Sequence, residues 1–354
     1  MTVLRRVAWQ ALDAAARRAW LDALRPAEPE TDVSQILAAI RDGGDVALRD
    51  LTRRFDGVDL DDPWVTAAEW DAATVDSALE AALKDAAASI GRYHAEQRNA
   101  LRQERRVRTA PGVVAWRRWQ AIERAGGYVP GGRATYPSSV LMLAVPARLA
   151  GVDELIIATP PSADGSVSPA VLVAARIGGV GRILKAGGAQ AIAALAFGTE
   201  SVPAVDKIFG AGNAWVTAAK RAVSGRVAID LPAGPSECIV LADRTADSEF
   251  VALDLLAQSE HGPDSVAILV SDDADLIGAV EAALPRLAAD LATGERALET
   301  IGRHGATVLV DDLDAGIELI NAVAAEHVSL QCSRADALAA GVRNAGAVFI
   351  GPWS

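Results

Sequence analysis

The chain has four histidines, His94, His261, His304 and His327, and two of them have neighbours that could do chemistry. Glu326 directly precedes His327, which pairs a carboxylate able to activate water with an imidazole suited to act as a general base near neutral pH. A plain surface pair would read the same way. Gln258 and His261 stand three apart, just before Gly262 and Pro263. On the last turn of a helix that spacing puts an amide oxygen and an imidazole on one face, two of the roughly four donors a metal such as zinc takes. A histidine that caps the final helical carbonyls satisfies the same pattern.

Glycine marks three further places. The run from Gly126 to Gly132 holds four glycines, Tyr128 and Pro130. Such a run lets a backbone approach a ligand closely, and it also fits a tight turn. Gly187-Gly188 precede Gln190, and Gly210 and Gly212 precede Asn213, each at a strand-to-helix junction. A helix N-terminus there could take a phosphate or a carboxylate. Neither stretch is G-x-G-x-x-G, and close helix-on-strand packing accounts for the glycines equally well. Gln190 and Asn213 nonetheless fall at strand ends, where ligands of open α/β sheets collect.

The elements that must hold these residues are legible from residue periodicity. Up to about residue 105 the apolar spacing is helical, clearest over 33–51 and 75–93. From 126 onward, short β-branched runs at 155–158, 182–186, 205–209 and 227–231 alternate with helical stretches at 169–177, 189–197 and 214–223. A second series of strands is expected at 238–241, 266–270, 307–310, 328–331 and 347–350. This is the pattern of parallel sheets covered on both faces. It predicts an α/β fold of two related, doubly wound, incomplete Rossmann-like parallel-sheet domains. The expected division is an N-terminal helical region, 1–125, packed on the second α/β domain; a first α/β domain, 126–234, carrying the cofactor contacts; and a second, 235–354, carrying the metal and catalytic residues.

Composition narrows the partners. The 354 residues carry 34 Lys and Arg against 46 Asp and Glu, a net charge of −12 that would repel nucleic acid and anionic membrane surfaces. Only Cys238 and Cys332 occur, far apart, so neither a disulfide framework nor a cysteine-rich zinc site is expected and the chain reads as cytoplasmic. The first 24 residues read as an amphipathic surface helix, and the longest apolar stretch, 138–150, is broken by Pro146 and Arg148.

Taken together, the segments 126–132, 187–198, 205–213, 230–237 (Asp-Leu-Pro-Ala-Gly-Pro-Ser-Glu), 258–264 (Gln-Ser-Glu-His-Gly-Pro-Asp) and the pair Glu326-His327 resemble, in order and at similar spacing, the motif series of histidinol dehydrogenases. The resemblance covers essentially the whole chain. It implies a zinc-dependent oxidation of L-histidinol to L-histidine through histidinal, with two NAD used in succession, as the last step of histidine biosynthesis. It also implies an intertwined homodimer. By position, Tyr128, Gln190 and Asn213 would contact NAD; Ser236, Gln258, His261 and His327 would contact substrate; Gln258 and His261 would ligate zinc. His327 would be the base and Glu326 would activate the water that adds to the aldehyde.

Two departures accompany the resemblance. Ala211 stands in a loop that more usually reads Gly-Pro-Gly-Asn, and the family is expected to continue past the point matching Gly351–Ser354, into a segment that carries an aspartate and a histidine completing the zinc shell. Two rivals follow: a truncated, catalytically impaired remnant or interaction subunit, and a paralogue acting on another small alcohol.

Overall fold

Val266–Ser271 is buried at every position, as a strand covered on both faces must be, and runs of this kind build both sheets of the chain. The computed structural model describes residues 4–24, 31–101, 105–131, 135–232, 234 and 236–353. It divides into two compact units, Glu30–Ala233 and Met1–Pro29 with Gly234–Ser354. The elements in chain order are β1 (Arg5–Ala8) and α1 (Ala14–Ala23), then α2 (Ser34–Phe55), α3 (Ala67–Ala72), α4 (Ser77–Ala100), and a hairpin of β2 (Val107–Ala110) and β3 (Val113–Ala115). An alternating series follows: β4 (Arg124–Tyr128), α5 (Pro137–Ala150), β5 (Glu154–Thr159), α6 (Pro169–Gly178), β6 (Arg182–Lys185), α7 (Gly188–Phe197), β7 (Lys207–Phe209), α8 (Ala214–Val223), β8 (Ala228–Ile229). The second series is β9 (Glu237–Ala242), α9 (Ser248–Ser259), β10 (Val266–Ser271), α10 (Ala274–Ala288), α11 (Gly294–His304), β11 (Ala306–Leu309), α12 (Leu313–Val323), β12 (His327–Gln331), α13 (Ala335–Ala339), β13 (Ala347–Ile350).

The sheet of the 30–233 unit runs β6-β5-β4-β7-β8, all parallel. The sheet of the other unit runs β1-β11-β10-β9-β12-β13, also parallel. With β1 set aside, both have the same winding: the first strand sits in the middle, the next two step to one side, and the last two step to the other. The two α/β units are therefore related architectures of the doubly wound kind, as the alternating pattern predicted.

Three expectations are corrected. Of the helices before residue 105, only α1 falls in the unit of the second α/β domain, where Trp20 is buried with Ile239 and Val308; α2, α3 and α4 fall in the unit of the first. Ile40 and Leu48 of α2 are buried with Ile192 and Leu195 of α7, and Leu83 of α4 is buried with Val140 and Leu141 of α5, so α2 and α4 belong to the 30–233 unit. Helical periodicity marks an apolar face without naming its partner. The N-terminal segment is not one surface helix, because β1 pairs in parallel with β11 before α1 begins. The glycines at 126 and 127 lie within the central strand β4 rather than in a loop. A Cβ on Gly127 would sit 2.6 Å from Ile157 Cδ1, and one on Gly126 would sit 3.1 Å from Leu195 Cδ1, so a larger residue at either position would force those side chains to shift. Among the described residues no helix is long and apolar enough to cross a membrane.

Candidate active site

In the 30–233 unit the strand order reverses between β4 and β7, and open α/β sheets take ligands outside the strand C-termini at such a reversal. A cavity of about 470 Å³ is lined there by Tyr128 from the end of β4, by Gly187, Gly188 and Gln190 around the start of α7, and by Asn213 before α8. These bring the three expected NAD contacts together. Tyr128 and Gln190 are buried, and Asn213 is exposed. The Tyr128 hydroxyl accepts from Gly188 N–H at 3.1 Å, and burial pushes its pKa up, which keeps the phenol neutral and able to donate. Asn213 Oδ1 accepts from Val216 N–H at 3.2 Å and caps α8, leaving its NH2 group as the donor for a ligand.

The helix terminus at 187–190 is not left open for a phosphate. Asp56, the residue that ends α2, points its carboxylate there: Oδ2 accepts from Gly187 N–H at 3.2 Å and from Gln190 Nε2 at 3.1 Å. Burial raises the Asp56 carboxyl above its ordinary range, with those two bonds pulling the other way. Sequence reasoning missed Asp56. The available signal was a carboxylate at a helix C-terminus, the end where the helix dipole disfavours negative charge.

A second missed group holds the Asn213 loop. Lys220 on α8 is 2% exposed, and its ammonium donates to Gly210 O at 2.7 Å, to Leu231 O at 3.3 Å and to the Asp230 carboxylate. Asp230 Oδ2 in turn accepts from Gly210 N–H at 2.7 Å. Gly210 has φ +107°, and a Cβ on it would lie 2.2 Å from Tyr128 O, so the loop passes close over β4.

The other unit gathers the remaining expected residues at the strand-start edge of its sheet. Ser236 precedes β9 and accepts through its backbone from Val266 N–H, which begins β10, at 3.0 Å. His327 begins β12 in register with Cys238 of β9 and Ala347 of β13. Ala324 ends α12 in the left-handed region at φ 56°, turning the chain into buried Ala325 and then exposed Glu326. Glu326 O accepts from Ala347 N–H at 2.9 Å, which fixes the backbone of the pair. Glu326 Oε1 lies 3.9 Å from His327 Nε2, too far for a hydrogen bond, and the two side chains are 52% and 34% exposed, so both can meet a ligand or water.

Gln258 is buried in the last turn of α9, but α9 ends at Ser259 and exposed His261 lies past it, its N–H reaching Gln258 O at 3.4 Å. The two are thus neighbours through a terminal turn rather than along one helix face. One turn earlier on α9, Asp254 accepts from Ser329 at 3.1 Å and from Gln331 at 2.7 Å, tying the helix that carries Gln258 to the strand that carries His327. Burial raises the Asp254 carboxyl, and burial lifts the neighbouring Cys238 thiol to about 12, so Cys238 is no nucleophile. No motif or spacing pointed to Asp254.

Zinc would need about four donors from these groups. Gln258 keeps a buried amide nitrogen without a partner, and turning the amide over would present its oxygen at that place, so Gln258 and His261 offer two neutral donors. Among the described residues no group of three or more His, Cys, Asp or Glu side chains is placed to hold a metal. Two donors do not complete the shell of about four that zinc takes. The described residues therefore do not fit zinc by themselves.

Fold and cavity alone define a class: a two-unit, doubly wound α/β protein with a ligand-sized crevice at a strand-order reversal. Comparison with known proteins makes this particular. The family described as histidinol dehydrogenase matches residues 22–354. A histidinol dehydrogenase of Xanthomonas axonopodis pv. citri is 47% identical over 98% of this chain and 81% of its own length. One of Methanothermobacter thermautotrophicus is 43% identical over 91% of this chain and 75% of its own. The crystal structure of histidinol dehydrogenase from Elizabethkingia anophelis superposes with a TM-score of 0.93 at 35% identity, covering 100% of this chain and 82% of that one. The chain belongs to the histidinol dehydrogenase family.

Proposed function

We propose that this chain oxidises L-histidinol to L-histidine by way of histidinal, with two NAD used in succession, as the last step of histidine biosynthesis. Family membership supports the reaction, and the Glu326–His327 pair is the observation that carries the residue assignment. In this reading 126–234 supplies the cofactor contacts Tyr128, Gln190 and Asn213. Segment 235–354 supplies Ser236, Gln258, His261 and His327 for the substrate.

When bound, NAD supplies the hydride acceptor for each oxidation. His327 Nε2 takes the alcohol proton as the carbinol C–H leaves as hydride, giving the aldehyde. Glu326, not hydrogen-bonded to His327, takes a proton from the water that adds to that aldehyde and returns it to the former carbonyl oxygen, giving the hydrate. His327, reset by loss of its proton to solvent, removes a hydroxyl proton of the hydrate as the second hydride leaves, and the acid results. Gln258 and His261 are the two zinc donors this reading assigns, and no step is assigned to the metal.

Exposed Trp119 and Met142 line a second cavity, of about 910 Å³, on the 30–233 unit, an apolar surface that the homodimer of this reading would cover. Two free cysteines fit the reducing cytoplasm. The test is a pair of variants. His327→Asn should depress both oxidations, whereas Glu326→Gln should mainly slow aldehyde to acid. Parent rates for both steps in both variants would remove the assignment.

A further inference from the structure

The Asp56 carboxylate uses its two oxygens unequally. Oδ2 accepts both Gly187 N–H and Gln190 Nε2, while Oδ1 has no hydrogen-bond partner among the described residues, and Asp56 lines the cavity with Tyr128 and Asn213. One oxygen thus holds the loop and the amide of a cofactor contact, and the other is left to a ligand that donates.

The described lining residues include neither Lys nor Arg. Arg54, the preceding basic residue, lays its guanidinium over the Phe55 ring at 5.1 Å from the centroid and is not among them. Half-buried and hydrogen-bonded, Asp56 is therefore a negative group in a cavity that offers it no cation among those residues. A ribose with free hydroxyls meets such a carboxylate as a donor; a ribose 2′-phosphate brings like charge and no O–H at that position.

We propose that Asp56 is a specificity residue of the dinucleotide site, accepting an adenosine ribose hydroxyl and rejecting the 2′-phosphorylated dinucleotide. This rests on the reading of the cavity as the NAD site. The 2′-phosphate that distinguishes the two dinucleotides is carried by the adenosine ribose, so the proposal places that ribose at Asp56. The carboxylate acts in two ways at once: Oδ2 keeps Gln190 and the 187–188 turn in place for either dinucleotide, and Oδ1 discriminates between them.

The experiment is calorimetric titration of the 354-residue chain, and of Asp56→Asn, with NAD and with NADP, alongside thermal melts. The parent should bind NAD at least about tenfold more tightly than NADP, and Asp56→Asn should shrink that ratio by about tenfold or more while keeping the melt. A merely structural role would weaken both dinucleotides together and leave the ratio unchanged, which overturns the proposal. So does a parent that binds both equally. A parent that binds neither overturns the NAD reading of the cavity itself, an outcome distinct from the first two. If Asp56→Asn fails to fold, Asp56→Ser, whose hydroxyl still accepts from the turn, is read by the same ratio.

Discussion

Replacing Lys220 by methionine tests how the Asn213 loop is held. The substitution keeps the length of the aliphatic stem and removes an ammonium that three acceptors share, Gly210 O, Leu231 O and the Asp230 carboxylate. Removing one partner of a buried ion pair costs about 3–5 kcal/mol, because the other charge is left uncompensated. Asp230 is 29% exposed and can recover some water, and methionine packs well, so the lower end applies: about 3 kcal/mol of unfolding free energy. Asp230 also holds Gly210 N–H, so the loop that ends in Asn213 loosens and NAD binding should weaken by about tenfold. The assay is chemical denaturation of parent, Lys220→Met, Asp230→Asn and the double variant, with NAD titrations of each. The cycle should give a coupling energy of about 2 kcal/mol between the two residues. A stability loss below about 0.5 kcal/mol with unchanged NAD affinity would refute the reasoning, since ordinary surface substitutions do no more.

Two further expectations follow from single contacts. Asn213→Asp keeps the cap on Val216 N–H and removes the NH2 donor, so it should weaken NAD binding with little change in melting; Asn213→Ala should in addition cost about 1 kcal/mol of stability, and equal NAD affinity in parent and Asp variant would count against that donor. Asp243 is buried, which alone would raise its pKa, but hydrogen bonds from Ser333 and Thr245 hold it down from 3.8 to about 2. That lowered value stabilises the fold by about 2 kcal/mol above pH 4, and the contribution disappears as pH falls through about 2. Asp243→Asn should accordingly be less stable than the parent at neutral pH and converge on it near pH 2; a pH-independent difference would contradict the assignment.

Most strands were legible because they are apolar at nearly every position, and the structure extends or trims the readings at 238–241, 266–270 and 182–186 by a residue or two. What escaped was held by tertiary partners. The Arg-Arg-Val-Ala of β1 has no strand-like apolar pattern; it lies at a sheet edge, where Arg6 reaches out to Glu281. The glycines of β4 read as a loop because the reason for them, Leu195 and Ile157 pressing from the two faces, is remote in sequence. In the sequence, motifs that resemble the family's mark Tyr128, Gln190, Asn213, Glu326 and His327. The groups that hold such residues, Asp56, Lys220 and Asp254, carry ordinary side chains, and only the fold reveals their partners.

The most direct test of the central claim is the stoichiometry of histidinol oxidation by the purified chain supplied with zinc and excess NAD. The account predicts two NADH formed for each histidinol consumed, with histidine as the product. No histidinol-dependent NADH, or one NADH per histidinol with the aldehyde accumulating, would contradict it.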